Sequence, residues 1–356
     1  MAGVTFLKLD RWWTTHFGTM MASVYLVLAI SPTPPPLQVL LGTLALFTVA
    51  TLGIGTFGHL LNDLTDVEQD ARTGARNLFA TRSTASRVLL TVATLIVGIL
   101  PWWWLPTTPA VAALVAAEYA LFVLYSVPPF RFKERGLPGL VADALYAYMV
   151  TNAFAILLFA NLAKATIPTW MLMAVLVWCF LFGLQRIMYH ELLDAAGDIR
   201  SGARTFVVRH GWQRSFEVDL YYLVPTMTAA FLLMIGVWAT ISPIVPLAYF
   251  TYASLTVWSY CSLRGVPPVN RLSPVDRYHL ASDRLNAMFV WRWLGLFALA
   301  TLVLKCPRYL PLVPLHLALF SQPVVWVWWQ GIPQAAKLFR SICRRRGRIG
   351  GPGTTV

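Results

Sequence analysis

The sequence predicts an all-α polytopic membrane protein, a bundle of nine to ten transmembrane helices around a central cavity. Three observations predict it. Hydrophobic residues fill 58% of the 356 positions and charged ones only 12%, about half the charge that covers an ordinary soluble domain, and the mean hydropathy is +0.63. Long apolar stretches recur along the chain without period-two alternation, so helices rather than a barrel satisfy the backbone in lipid. Lys and Arg crowd into alternate connections, the pattern of a fixed orientation in a bilayer. These features exclude a cytosolic globular enzyme, a disordered chain and a nucleic-acid-binding module.

A span needs about 20 mostly apolar residues. The first, 12–31, follows MAGVTFLKLD, which has no cleavable signal pattern and no Arg/Ser-rich transit composition, so it is read as retained. The second, 38–61, opens after the short connection SPTPPP. The third and fourth, 89–106 and 109–127, meet at LPTTP, and the fifth, 138–160, follows the basic segment PPFRFKERGLPG. The sixth is 168–190; the seventh and eighth, 217–239 and 242–262, flank ISP; the ninth is 287–304. The tenth, 309–330, contains Pro311, Pro314 and Pro323 and reads either as a span or as an interfacial or re-entrant segment.

With the N-terminus inside, 23 of the 28 Lys and Arg lie on the inner side and 3 outside (Lys164, Lys305, Arg308), while Arg186 and Arg292 fall within spans. Residues 1–335 are therefore expected to form one transmembrane domain. Residues 336–356 read as a basic, disordered tail, and the net charge of +13 as contact with anionic headgroups of the lipid bilayer. The expected setting is the cell membrane, with both termini on the cytoplasmic side. Four dispersed cysteines and no C-x-x-C pair suggest neither a zinc site nor a redox dithiol.

Acidic residues are scarce, yet seven of the fifteen sit in two short runs, LNDLTDVEQDARTGARN and YHELLDAAGDIRSGART. Each follows a long apolar span on the inner side. Asn62, Asp66 and Asp70 are spaced i, i+4, i+8; Glu191, Asp194 and Asp198 are spaced i, i+3, i+7. Both spacings place their groups on one helix face. A carboxylate at the centre of a spanning helix costs about 2.5–3.5 kcal/mol, and stacked like charges repel even at the membrane edge. A divalent cation relieves that repulsion. Mg²⁺ takes one or two carboxylates plus substrate phosphates, so two such faces across a cavity would hold a diphosphate through bridging ions. Ordinary solvated helix ends would carry the same charges singly; two runs on one side, each followed by G-x-R-[NT], fit that reading poorly.

N-D-x-x-D-x-x-x-D after the second span, D-x-x-x-D after the sixth and Y-S-V-P-P-F-R-F-K after the fourth resemble the UbiA superfamily of intramembrane prenyltransferases, over about residues 8–305. The resemblance implies a helical bundle, usually of nine spans, that binds Mg²⁺, as two ions, and an isoprenyl diphosphate. It implies Asn62, Asp66 and Asp70 in the first metal-binding motif, and Asp194 and Asp198 in the second with Glu191 beside them. Lys133 matches a basic position near the diphosphate, and Arg11, in DRWW, resembles an N-terminal Arg-containing segment. After the first motif this chain reads GARNLFATRS, where many members have a proline-containing basic stretch; the subfamily and the hydrophobic acceptor stay open.

The chemistry expected is ionisation of an allylic C–O bond. Lys133, Arg76 and Arg72 are candidates for charge-assisted bonds to phosphate. Tyr125, Tyr146 and Tyr189 are candidates for the electron-rich wall facing the allylic cation, with core packing as the ordinary alternative for each. Asp143 and Glu118 lie within or near spans, where an ionisable group marks a functional site by default; Asp143 would help an acceptor lose its proton. His190 reads first as a helix-end histidine. The leading function is prenyl transfer to a lipophilic or aromatic acceptor. Its alternative within the same fold is a terpene cyclase, which needs no acceptor. A transporter is the alternative from another class, but transporter acids lie near the midplane.

Overall fold

A computed structural model describes residues 6–74, 77–263 and 272–321, all helix and connections, with no strand among them. Arg76, the side chain of Arg11 and the tail 336–356 lie outside the described residues. Eight spans there are long and apolar enough to cross a membrane. We number the long helices α1 (Trp13–Ile30), α2 (Leu37–Arg72), α3 (Thr84–Trp103), α4 (Pro109–Ser126), α5 (Leu137–Ala163), α6 (Thr169–Ser201) and α7 (Trp212–Ala239). Then follow α8 (Ile244–Leu263), a further twenty-residue helix, and α9 (Pro274–Lys305). The expected tenth span is represented by α10, Leu312–Leu319. At eight residues it is about 12 Å long, and the remainder of that stretch, from 322, lies outside the described residues.

Local chemistry sets the helix starts. Ser83 and Thr108 cap α3 and α4 by accepting the amides of Ser86 and Val111, the usual hydroxyl N-cap, and Pro109 occupies the first turn of α4, where no amide partner is lost. Helix α9 begins thirteen residues before the expected 287. Its early charges have internal partners, Tyr260 for Asp276 and Arg186 for Asp283, so the polar stretch folds as helix instead of loop.

Helix α1 lies at the centre, with Gly18–Ala29 buried throughout, packed on α5 and α9. Helix α3 lies outermost and presents Leu89, Val92 and Ile96 outward. Glycines fix the close crossings. A Cβ on Gly53 of α2 would fall 2.2 Å from the Gly98 nitrogen of α3, and one on Gly183 of α6 would fall 2.8 Å from the Ala144 Cα of α5. π-Helical stretches interrupt α1 at Trp13–Phe17 and α5 at Leu145–Met149. Such widened turns recur at functional sites, and here they carry His16 and Tyr146 to a common cavity.

Candidate active site

Two helices deliver the acidic groups. Helices α2 and α6 are the longest single helices, and each carries its acidic run on its last turns. Each ends at a glycine with positive φ, Gly74 at +70° and Gly202 at +73°, the left-handed cap that glycine adopts without steric cost. The chain then doubles back and returns a polar side chain to the last acid of the run. Asn77 Nδ2 donates to Asp70 Oδ2 at 2.8 Å, and Thr205 Oγ1 donates to Asp198 Oδ2 at 3.2 Å. The two helix ends are built alike.

The middle acid of the first run is wrapped in cations. Lys133 Nζ donates to Asp66 Oδ1 and Oδ2 at 2.7 and 2.6 Å and to Asn62 Oδ1 at 2.6 Å. Arg131 Nη2 donates to the same Asp66 Oδ1 at 2.9 Å and to Gln69 Oε1 at 2.7 Å. Burial pushes the Lys133 ammonium below the usual lysine range, and the Asp66 charge opposes that push. Asp63, one residue from Asn62, points elsewhere and pairs with Lys8 at 2.6 Å, tying the N-terminal segment to α2.

In the second run, Asp194 is exposed beside His190, its Oδ2 3.4 Å from Nε2. Glu191 is buried instead, and its Oε2 accepts the Val207 amide at 3.0 Å, which anchors the short helix Phe206–His210 onto α6.

Both acid-bearing helices line common space, but of the candidate ligands in the two runs only Asn62 does so; Asp66, Asp70, Glu191, Asp194 and Asp198 are not among the lining residues. A cavity of about 460 Å³ opens between Asn62 on α2 and Tyr189, His190 and Leu193 on α6. It runs inward past Tyr125, Asp143 and Tyr146 to Thr51 and Phe154. Eleven residues separate Thr51 from Asn62 on α2, a depth of about 16 Å. A second cavity of about 250 Å³ lies beyond Arg131, between Gln69 and Arg72 of α2 and Ser201 and Gly202. Arg72 is largely exposed there, 3.8 Å from Glu68.

Tyr146 donates its hydroxyl to Asp143 Oδ2, and the Tyr125 and Tyr146 rings meet edge to face at 5.3 Å. Tyr189 donates to Asp283 Oδ2 at 3.2 Å under the Arg186 guanidinium, 4.7 Å above its ring. Arg186 itself lines the cavity, bonded to Asp283 Oδ1 at 3.0 Å and Ser282 Oγ at 3.2 Å.

Sequence reasoning missed Arg131, Lys8, Arg186 and the cavity lining from Trp12, His16 and Trp291. For Arg131 a signal existed: it shares the R-F-K segment with Lys133 and faces an acid-rich helix end. For Trp12 and His16 none did, since nothing local distinguishes a cavity wall from core.

The donor set suits a hard cation. Among the described residues no group of three or more His, Cys, Asp or Glu converges closely enough to hold a bare metal ion. The candidate ligands Asn62, Asp66, Asp70, Asp194 and Asp198 are all oxygen donors, with two acids on each helix end. Mg²⁺ commonly accepts just that many carboxylates and completes its octahedron with water and substrate phosphate, so the residues fit magnesium when it arrives with a diphosphate.

Fold and site together define an α-helical integral membrane protein whose aromatic-walled cavity is lined by the two helices that end in the acidic runs. The model of the UbiA prenyltransferase family matches residues 17–268, and the chain belongs to that family. It is 24% identical over 227 residues to the 4-hydroxybenzoate octaprenyltransferase of Azotobacter vinelandii, covering 63% of this chain and 72% of the relative. A UbiA homologue from Archaeoglobus fulgidus bound to GPP and Mg²⁺ shares its fold, with a TM-score of 0.58 at 16% identity over 84% of this chain and 98% of the other. The same homologue bound to DMAPP and Mg²⁺ gives 0.57 at 15% identity over the same shares.

Proposed function

We propose that this protein transfers an isoprenyl group from an isoprenyl diphosphate to a lipophilic or aromatic acceptor, dependent on Mg²⁺. The observation that supports this most directly is the shared cavity. Asn62, which Lys133 bonds together with Asp66, lines it on one side, and Tyr189 and His190, one to three turns before Asp194 and Asp198, line it on the other.

Asn62, Asp66, Asp70, Asp194 and Asp198 would hold the metal. Magnesium, when bound, neutralises charge on the departing diphosphate. Lys133 and Arg131 are placed to give phosphate oxygens the charge-assisted bonds they now give Asp66. The prenyl chain lies in the cavity, where Phe122, Tyr125 and Tyr146 exclude water and turn π faces toward the allylic carbon; each such face contributes about 0.5–2 kcal/mol to a cation. Asp143, held by Tyr146, is placed to take the proton that the acceptor loses.

The test is incubation of purified protein with Mg²⁺ and geranyl diphosphate, with and without a phenolic acceptor. Prenylated acceptor is the expected product. A cyclic hydrocarbon or alcohol formed without acceptor would make the protein a terpene cyclase and overturn the transferase reading.

A further inference from the structure

Deep in the cavity lies a carboxyl group that the diphosphate chemistry does not use. Glu118 is 1% exposed, lines the cavity from α4, and its Oε2 has no hydrogen-bond partner among the described residues. A buried polar oxygen left unpaired carries an uncompensated desolvation cost, and native proteins retain such atoms where a ligand completes them. Glu118, Phe122 and Tyr125 are spaced i, i+4, i+7 and share one face of α4; all three line the cavity. Seven residues separate Glu118 from Tyr125, so the free oxygen lies about 10 Å further inward.

The surroundings select the partner. Asp143, the other acid lining the cavity, has Oδ2 bonded to the Tyr146 hydroxyl. The guanidinium of Arg186 is bonded to Asp283 and Ser282. His16, His59 and His190 supply the remaining titratable groups of the wall, with the tyrosines Tyr125, Tyr146, Tyr148 and Tyr189. Two carboxyl groups therefore face this part of the cavity, and its cation is already matched by an acid. Such a site offers oxygen acceptors to a hydroxyl hydrogen and, among the described residues, no unmatched guanidinium or ammonium to a carboxylate or phosphate.

We propose that Glu118 is the specificity-determining hydrogen-bond acceptor for an uncharged, hydroxyl-bearing aromatic acceptor substrate. This rests on the transferase reading above and narrows it, since it disfavours acceptors that carry their own negative charge in the cavity.

The experiment uses the full-length protein in lipid nanodiscs with Mg²⁺, geranyl diphosphate and two acceptors of matched size, 4-hydroxybenzyl alcohol and 4-hydroxybenzoate. The wild type is expected to prefer the alcohol by roughly tenfold or more in kcat/KM, the discrimination that one unmatched polar contact gives. Glu118→Leu, which removes the acceptor at similar volume, is expected to raise the KM for the alcohol and narrow that preference, while the affinity for a non-ionising thiolodiphosphate analogue of the donor stays as in the wild type, which also shows that the variant is folded. Glu118→Asp, which keeps the carboxyl group, retains the preference. Equal use of both acceptors by the wild type, or an unchanged preference in Glu118→Leu, overturns the assignment and leaves prenyl transfer standing. Donor consumed without either acceptor being prenylated overturns both.

Discussion

Lys133 Nζ stands 2.6 Å from Asn62 Oδ1 and 2.6 Å from Asp66 Oδ2, so one ammonium binds the segment after α4 to two members of the acidic run on α2. This contact neutralises Asp66, and on the proposed function it stations a cation where a phosphate would arrive.

On the proposed function, Lys133→Ala would remove a charge-assisted bond from the diphosphate, worth about 1.5–3 kcal/mol. Steady-state kinetics with geranyl diphosphate should show kcat/KM falling by roughly 10- to 150-fold. Lys133→Arg should recover little, because a planar fork does not reproduce a point charge held between Asn62 and Asp66.

Asp66→Ala and Asp198→Ala are each expected to abolish turnover; Asp198→Ala should change thermal unfolding little, whereas Asp66→Ala also leaves the part-buried Lys133 and Arg131 without their acid and should lower the midpoint. Excess chelator should likewise stop the wild type, and added Mg²⁺ should restore it. Full activity in both variants would defeat the enzyme assignment.

Gly53→Val forces a side chain into the Gly98 backbone, 2.2 Å from where its Cβ must sit. Overpacking of this kind costs about 1–3 kcal/mol or more, so the midpoint of unfolding in detergent should drop. Gly42→Ala on the same helix meets nothing within 4 Å and should leave the midpoint unchanged or slightly higher.

Arg186→Leu takes the guanidinium from Asp283 and leaves it the Tyr189 hydroxyl and His279. Removing one partner of a buried pair costs roughly 3–5 kcal/mol, and the lower part of that range applies because the Asp283 side chain keeps 20% exposure. Adding Asp283→Leu should restore part of the loss, and a double-mutant cycle on thermal unfolding measures it.

Much of this architecture was legible in the sequence because lipid imposes strict rules on length and apolarity. The helical class and the positions of most spans follow from them, as does the placement of Asp66 and Asp198 near aligned helix ends. What was not legible depends on partners distant along the chain. The early start of α9 needed Arg186, 97 residues from Asp283, to make its acid compatible with a buried helix. Glu191 looked like one more member of an acidic ladder, whereas a short helix that folds back after Gly202 uses it to bind the Val207 amide. Glu118 was visible as an acid near a span, but only the packing of α4 against the cavity shows an oxygen left without a donor.

Helix α2 extends over 36 residues to Arg72, about 54 Å of helix against a hydrocarbon layer of about 30 Å. Asn62 lies about 37 Å along it from Leu37, and Asp194 about 37 Å along α6 from Thr169, both further than that layer is thick. On the proposed function the two products would therefore part company by solubility: inorganic pyrophosphate would be shed into the aqueous phase, while the lengthened hydrocarbon stays dissolved in the leaflet. The back reaction would need the two to meet again across that phase boundary, which would give turnover a direction without any moving lid.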